Sequence, residues 1–341
     1  MELTANFSHG QSSQRPNSEL PSVVIHTHGC KLNQSDSQAL ARQFKESGYL
    51  VVDAPAQADV VVLNSCTVTS TADAKARQFL RSARRANPDA VVVVTGCYAQ
   101  RSPESFQALE EVSLVLGNTQ KPALVDSITE FLKSRNSVEY VGKSPSPDPG
   151  RMGVVNGRTG ERSRAMVKIQ EGCDQVCAYC IVPKVRGRER SISPQSVVAD
   201  IRRQSSEGRK EAVLTGTQLG TYGFDIPGTN LVGLVQQILE ETSIERLRVS
   251  SLQAQEITPE LLALWRNSRL CPHFHIPLQS GSNRVLQIMR RRYDTRRFAD
   301  TVALVRGALP HAGITTDIIV GFPGEGDQDF ESGLRFVESM T

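Results

Sequence analysis

Between residues 22 and 141 the chain alternates short apolar runs with amphipathic stretches. The runs are Ser22–Thr27, Asp59–Leu63, Ala90–Thr95 and Val112–Leu116. They are rich in Val and apolar on both faces, the pattern of strands in a parallel sheet covered on both sides. The intervening stretches read as helices. Ser35 followed by Gln38 predicts a capping box, Gly48 a helix stop, and Ser102–Pro103 a further helix start. Such alternation predicts an open, doubly wound α/β domain. Residues 1–21 are polar and read as a disordered leader. Residues 142–162 crowd Pro145, Pro147, Pro149, Gly150, Gly153, Gly157 and Gly160 together and read as a linker.

A second β/α series fills residues 163–341. Its expected strands are Ala165–Ile169, Glu211–Thr215, Arg246–Ser250, Phe274–Leu278 and Ile314–Val320. Helical patterns follow at Pro194–Ser206, Leu231–Glu240, Pro259–Arg266, Asn283–Leu309 (broken near Tyr293) and Asp327–Met340. Parallel strands with outer helices predict a partial (β/α) barrel. Five strands leave an unpaired edge, which native folds normally cover. The sequence is therefore expected to be cut short, or its edge to be covered from outside.

Composition narrows the classes. Hydrophobic residues at 39% and charged residues at 22% are an ordinary globular balance. A net charge of +3 does not announce nucleic-acid binding, so any such site must come from local clustering. Arg77, Arg81, Arg84 and Arg85 form one basic group, Arg186, Arg188 and Arg190 a second, and Arg290, Arg291, Arg292, Arg296 and Arg297 a third. Each suits phosphate contacts or a solvated helix face. The Arg186–Arg190 group is the preferred nucleic-acid candidate because it follows a cysteine motif. No apolar run reaches the ~18 residues of a membrane helix, and no secretory pattern opens the chain. A cytoplasmic protein with no membrane partner is expected.

Seven cysteines in that compartment point to metal binding or catalysis rather than to disulfides. Cys271 stands alone and reads as a small buried hydrophobe. Cys173, Cys177 and Cys180 make a C-x3-C-x2-C motif just after the first strand of the second series. Thiolates are the usual ligands of iron–sulfur clusters, and three of them leave one iron of a four-iron cluster open. Gly172 permits a tight turn, and Tyr179 offers a planar face. Zinc is the alternative, but it prefers four ligands and no fourth lies nearby in sequence.

This segment resembles the radical S-adenosylmethionine (SAM) superfamily. The resemblance implies a 4Fe–4S cluster held by Cys173, Cys177 and Cys180, the catalytic cysteines, whose open iron chelates SAM. One-electron cleavage of SAM then gives a 5′-deoxyadenosyl radical.

Cys30, Cys66 and Cys97 lie 36 and 31 residues apart, yet each directly follows an apolar strand. In an open parallel sheet the carboxyl ends of the strands share one edge, so the three are expected to converge there. Unrelated buried cysteines, or a zinc site completed by His26 or His28, are the competing readings. His26, mid-strand, reads as a packed residue.

Two such trios on two α/β domains resemble the radical SAM methylthiotransferase family over residues 22–341. The resemblance implies an auxiliary 4Fe–4S cluster on Cys30, Cys66 and Cys97 that handles sulfur, with one SAM giving the methyl group and another the radical. It also implies a tRNA substrate, a reduced flavodoxin- or ferredoxin-type electron donor, and a monomer. The loops Gly29-Cys30-Lys31-Leu32-Asn33-Gln34, Cys66-Thr67-Val68-Thr69 and Gly96-Cys97-Tyr98-Ala99-Gln100 look most like the threonylcarbamoyladenosine (MtaB-like) branch. That branch implies methylthiolation at carbon 2 of N6-threonylcarbamoyladenosine at position 37 of tRNA. Isopentenyladenosine in tRNA, a ribosomal-protein aspartate and a non-catalytic iron–sulfur module are the alternatives. Members normally continue into a sixth barrel strand and a TRAM domain, and neither is visible before Thr341.

Loops after three barrel strands carry the remaining candidates. Thr215 and Gly216, Gln279 and Ser280, and Gly321 are expected to touch SAM. A plain turn competes at the first loop, and helix capping at the second.

Overall fold

The computed structural model describes residues 20–67, 69–134, 139–140 and 164–340. The expected linker, and the leader up to residue 19, lie outside the described residues.

In the N-terminal half, β1 (Ser22–Thr27), β2 (Leu50–Val51), β3 (Val60–Ser65), β4 (Val91–Gly96), β5 (Leu114–Val115) and β6 (Glu139–Tyr140) form one sheet in the order β2-β1-β3-β4-β5-β6. Every pairing is parallel. The helices are α1 (Lys31–Glu46), α2 (Ser70–Ala86), α3 (Cys97–Arg101), α4 (Glu104–Gln107) and α5 (Leu124–Ser134). Strand periodicity explains the apolar runs. Val61 and Leu63 of β3 point into a cluster with Leu80 of α2 and Phe106 of α4. Val60 and Val62 point the other way, to Phe44 of α1 and Ile128 of α5. Both faces are covered, so both must be apolar. The two-residue strands β2 and β6 are too short to leave a sequence pattern.

One local expectation fails. Helix α1 begins at Lys31 with Cys30 as its N-cap, so Ser35 is a buried residue inside the helix rather than its cap. Tertiary contacts hold the first turn instead. The Asn33 amide donates to the carbonyls of His28 (2.8 Å) and Ser65 (3.0 Å).

The second half contains β7 (Arg164–Lys168), β8 (Gln170–Glu171), α6 (Val182–Arg186), β9 (Arg190–Ser191), α7 (Pro194–Ser206), β10 (Glu211–Thr215), α8 (Leu231–Glu241), β11 (Arg246–Val249), α9 (Pro259–Ala263), β12 (His273–His275), α10 (Asn283–Ile288), α11 (Thr295–Ala308), β13 (Gly313–Thr315) and α12 (Asp327–Glu338). β11-β10-β7 form a parallel sheet and β12-β13 a parallel pair, bridged by Leu247 and Leu270. Five β/α units therefore make a partial barrel, as the alternation predicts. β8 and β9 add a small antiparallel pair. The expected long helix breaks where Arg290 takes φ +58° and the buried Tyr293 donates to the Pro277 carbonyl at 2.7 Å. β13 is shorter than its apolar run. Beyond Thr315 only an isolated bridge, Gln279 to Ile318, continues the pairing. Ile318 and Val320 stay exposed, as do Phe330 and Leu334 of α12.

Candidate cluster sites and their surroundings

The N-terminal trio sits at the carboxyl edge of the six-stranded sheet. Cys30 follows β1, Cys66 follows β3 and Cys97 opens α3 after β4. Two glycines let these loops touch. Gly29 takes φ +119°, and a Cβ there would stand 2.7 Å from the Cys66 Cβ. Gly96 takes φ +99°, and a Cβ there would meet the Ser65 carbonyl at 2.3 Å. The Asn118 amide lies 3.6 Å from the Cys97 Sγ and donates to the Val185 carbonyl at 2.8 Å. His26 stacks on Phe79 at 4.0 Å, a packed residue as expected, and its Nε2 meets that of His28 at 3.1 Å. Burial lowers the pKa of both imidazoles. The buried His28 Nδ1 has no hydrogen-bond partner among the described residues.

The C-terminal trio lies in the loop after β8. Gly172 (φ +80°) is pressed against the next turn of that loop, with a hypothetical Cβ 1.9 Å from the Arg188 carbonyl. The Cys173 amide donates to the Gly187 carbonyl (3.1 Å) and that of Cys180 to the Cys177 carbonyl (3.1 Å). Burial pushes the Cys173 thiol up to about 11, and Glu189, Cys180 and Cys177 add to the rise. The three sulfurs thus lie within mutual electrostatic reach. Arg291 places Nη1 3.2 Å from the Cys177 Sγ and lies 4.9 Å from the Tyr293 ring centroid. Tyr179 meets Phe322 edge-on at 6.1 Å, which brings the loop of Gly321 (φ +69°) beside the motif.

Among the described residues, no three His, Cys, Asp or Glu side chains gather tightly enough for a single metal ion. A four-iron cube takes its thiolates at separate corners and not on one ion, so a trio that does not close on a single ion is compatible with a cluster. Gly172→Ala is expected to cost about 1–3 kcal/mol from the disfavoured backbone alone. The clash should also lower iron bound by this trio, read by denaturant unfolding and iron analysis.

Sequence reasoning missed Gln170, which joins the motif to the loop after β10. Its buried Oε1 accepts from the amides of Thr217 and Gln218 (both 2.9 Å), and its Nε2 donates to the Gly172 carbonyl (3.0 Å). Those two amides are therefore committed within the protein. Thr215 is buried, and a Cβ at Gly216 would stand 2.8 Å from the Leu219 side chain and 3.1 Å from Gln170 Oε1. Ser280 accepts from the Ser282 amide (3.2 Å), and Ser282 caps α10, so the hydroxyl of Ser280 is used in the capping turn. Gln279 adopts φ +67° at the mouth of the arc.

Glu256 was also missed. It contacts Gln218 and receives the Gln253 amide at 2.9 Å. Burial pushes its carboxyl up to about 7. Between the unfolded carboxyl pKa near ~4.3 and that value, the folded state binds more protons than the unfolded one. Stability therefore falls as pH rises through this window, by about 4 kcal/mol in all. Glu256→Gln is expected to flatten that slope, measured by urea unfolding from pH 4 to 8.

The arginine groups divide differently from expectation. Arg186 is 3% exposed and lies in an ion cluster, so it is unavailable to nucleic acid. Arg188 alone of the favoured group stands well out in solvent, 87% exposed and paired with Asp174. Arg84 donates to the carbonyls of Pro88, Ala90 and Glu111. Arg291 turns inward to Cys177. Charge runs do not reveal which members fold inward. Cys271 is buried, as expected.

Residues 22–117 match the Uncharacterized protein family UPF0004, and residues 167–337 match the Radical SAM superfamily. The threonylcarbamoyladenosine tRNA methylthiotransferase MtaB of Bacillus subtilis (strain 168) is 40% identical over 321 residues, covering 94% of this chain and 71% of that protein. The chain belongs to the radical SAM methylthiotransferase family. It lies in the MtaB-like branch, and radical SAM chemistry implies a 4Fe–4S cluster and SAM. The Aquifex aeolicus (strain VF5) MtaB is likewise 40% identical, covering 93% of this chain and 77% of that relative. A tRNA-2-methylthio-N(6)-dimethylallyladenosine synthase of Moorella thermoacetica is 35% identical, covering 92% and 72%. The cobalamin-binding radical SAM methyltransferase TsrM of Kitasatospora setae shares the fold, with a TM-score of 0.67 and 16% identity over 94% of this chain and 73% of that one. Among the described residues of this methylthiotransferase, no helix is long and apolar enough to cross a membrane.

Proposed function

We propose that the enzyme methylthiolates carbon 2 of N6-threonylcarbamoyladenosine at position 37 of tRNA, with SAM and two 4Fe–4S clusters. The observation that carries the choice of substrate is the ordering of relatives. MtaB enzymes match at 36–40% identity, and dimethylallyladenosine synthases at 32–35%. The convergence of Cys30, Cys66 and Cys97 at one sheet edge supports the second cluster.

Cys173, Cys177 and Cys180 would hold the SAM-binding cluster, and Cys30, Cys66 and Cys97 the auxiliary one. When bound, the first supplies one-electron cleavage of SAM and the second a site for sulfur. The protein's own part is positional. Gly172 and Gln170 fix the motif against the barrel mouth. Arg291 offers a cationic N–H to the Cys177 sulfur. Tyr179 and Phe322 meet edge-on and tie the loop of Gly321 to the motif. Thr215 ends β10, and Gly216, Gln279, Ser280 and Gly321 lie on loops after the barrel strands; all five are proposed to contact SAM. A reduced flavodoxin- or ferredoxin-type protein is the proposed electron donor to a cytoplasmic monomer.

Nucleoside mass spectrometry of tRNA from a deletion strain tests this. The methylthio-threonylcarbamoyl nucleoside should vanish and return on complementation. Loss of the dimethylallyl species instead would reassign the substrate. An unchanged tRNA profile would favour a protein substrate.

A further inference from the structure

Between the two domains lies a buried ion cluster that the proposed reaction does not itself require. Asp36 of α1 is 2% exposed. It receives Lys121 at 2.7 Å, Lys168 of β7 at 2.8 Å and Arg186 of α6 at 3.2 Å. Glu171 completes the group, 2.6 Å from Arg186 and 3.1 Å from Lys168. Three cations thus face two carboxylates, leaving one positive charge in excess.

That excess lies beside the N-terminal trio. Arg186 Nη2 donates to Asn33 Oδ1 at 2.5 Å, and Asn33 Oδ1 stands 3.8 Å from the Cys30 Sγ. Burial lowers the Arg186 pKa, but Asp36, Cys97, Glu171 and Cys30 outweigh it and raise the value well above normal. Cys97 also acts on Lys121, whose pKa burial lowers despite Asp36. Arg186 thus interacts with Cys97 and Cys30, and Lys121 with Cys97. α6, which carries Arg186, begins two residues after Cys180. One short segment joins the C-terminal trio to the surroundings of the N-terminal one.

We infer that Arg186 and Lys121 are positioning residues that raise the reduction potential of the auxiliary cluster through this excess charge. The inference rests on the proposed assignment of a cluster to Cys30, Cys66 and Cys97. A cluster bound by three thiolates is anionic, and reduction adds further negative charge. A buried cation nearby favours the reduced form, because charge and hydrogen bonds around the sulfurs set cluster potentials. Burying five charged side chains is costly when hydrophobic packing would serve as an interface. A role toward the cluster accounts for keeping them.

The test uses the full chain with Cys173, Cys177 and Cys180 replaced by alanine, so that iron reports only the N-terminal trio. After anaerobic reconstitution, the potential is measured by electron paramagnetic resonance titration. Arg186→Gln should make reduction about tenfold less favourable, roughly 59 mV more negative for a one-electron couple. Arg186→Lys, which keeps the charge but not the forked geometry, should recover most of that shift. Lys121→Met leaves the Asn33 contact alone and should shift the potential the same way, which decides the matter if Arg186→Gln does not fold. Four irons retained with an unchanged potential in Lys121→Met and in folded Arg186→Gln would overturn the inference alone. If the parent chain binds no iron, the two-cluster assignment fails first and this inference falls with it.

Discussion

Cys177→Ala is expected to abolish SAM cleavage and to reduce the iron content of the reconstituted enzyme from about eight to about four per chain. Cys66→Ala should lose a similar amount of iron, yet still cleave SAM to 5′-deoxyadenosine while inserting no sulfur. The contrast follows from geometry. Cys177 lies in the barrel-mouth loop with Arg291 against its sulfur. Cys66 lies at the sheet edge against Gly29. Product chromatography and iron analysis on the two variants check this. Sulfur insertion by Cys66→Ala would remove the auxiliary site from the reaction.

The second large effect concerns the domain interface. Asp36→Ala leaves Lys121, Lys168 and Arg186 buried around an empty centre, with only Glu171 to compensate. Removing one partner of a buried ion group typically costs about 3–5 kcal/mol, because the remaining charges lose their counter-ion. Denaturant unfolding of the metal-free protein reads the loss. Burial raises the carboxyl pKa of Asp36, but Lys121, Lys168 and Arg186 outweigh it and hold the group well below the usual range. Its stabilisation is therefore fully present above the unfolded value near ~3.9 and is lost as pH falls through the lower folded value. Asp36→Ala should accordingly remove part of the acid sensitivity below about pH 4.

The place of Cys30, Cys66 and Cys97 at one sheet edge was legible because each follows an apolar run and strand order fixes where strand ends lie, and the second trio was legible as a motif from its spacing. Helix starts were less so. Ser35 and Gln38 have the spacing of a cap, yet α1 begins at Lys31, with Cys30 as its N-cap, where Asn33 binds the carbonyls of His28 and Ser65. Nothing local in the sequence reports those partners. The Arg186–Arg190 group shows the same limit. A run of arginines looks like a phosphate-binding face until Asp36, 150 residues away, takes Arg186 into the interior.

Alternation of apolar runs and helical stretches, together with cysteine spacing, was enough to determine two α/β units, six cysteines in two trios and the family they resemble. These depend on periodicity and chain order, which are local properties. Gln170 as the tie between the motif and the β10 loop, Arg291 at Cys177 and the Asp36 ion cluster depended on tertiary structure. Each joins groups distant in sequence, and burial strengthens a charge or hydrogen bond only after the fold has removed the water around it.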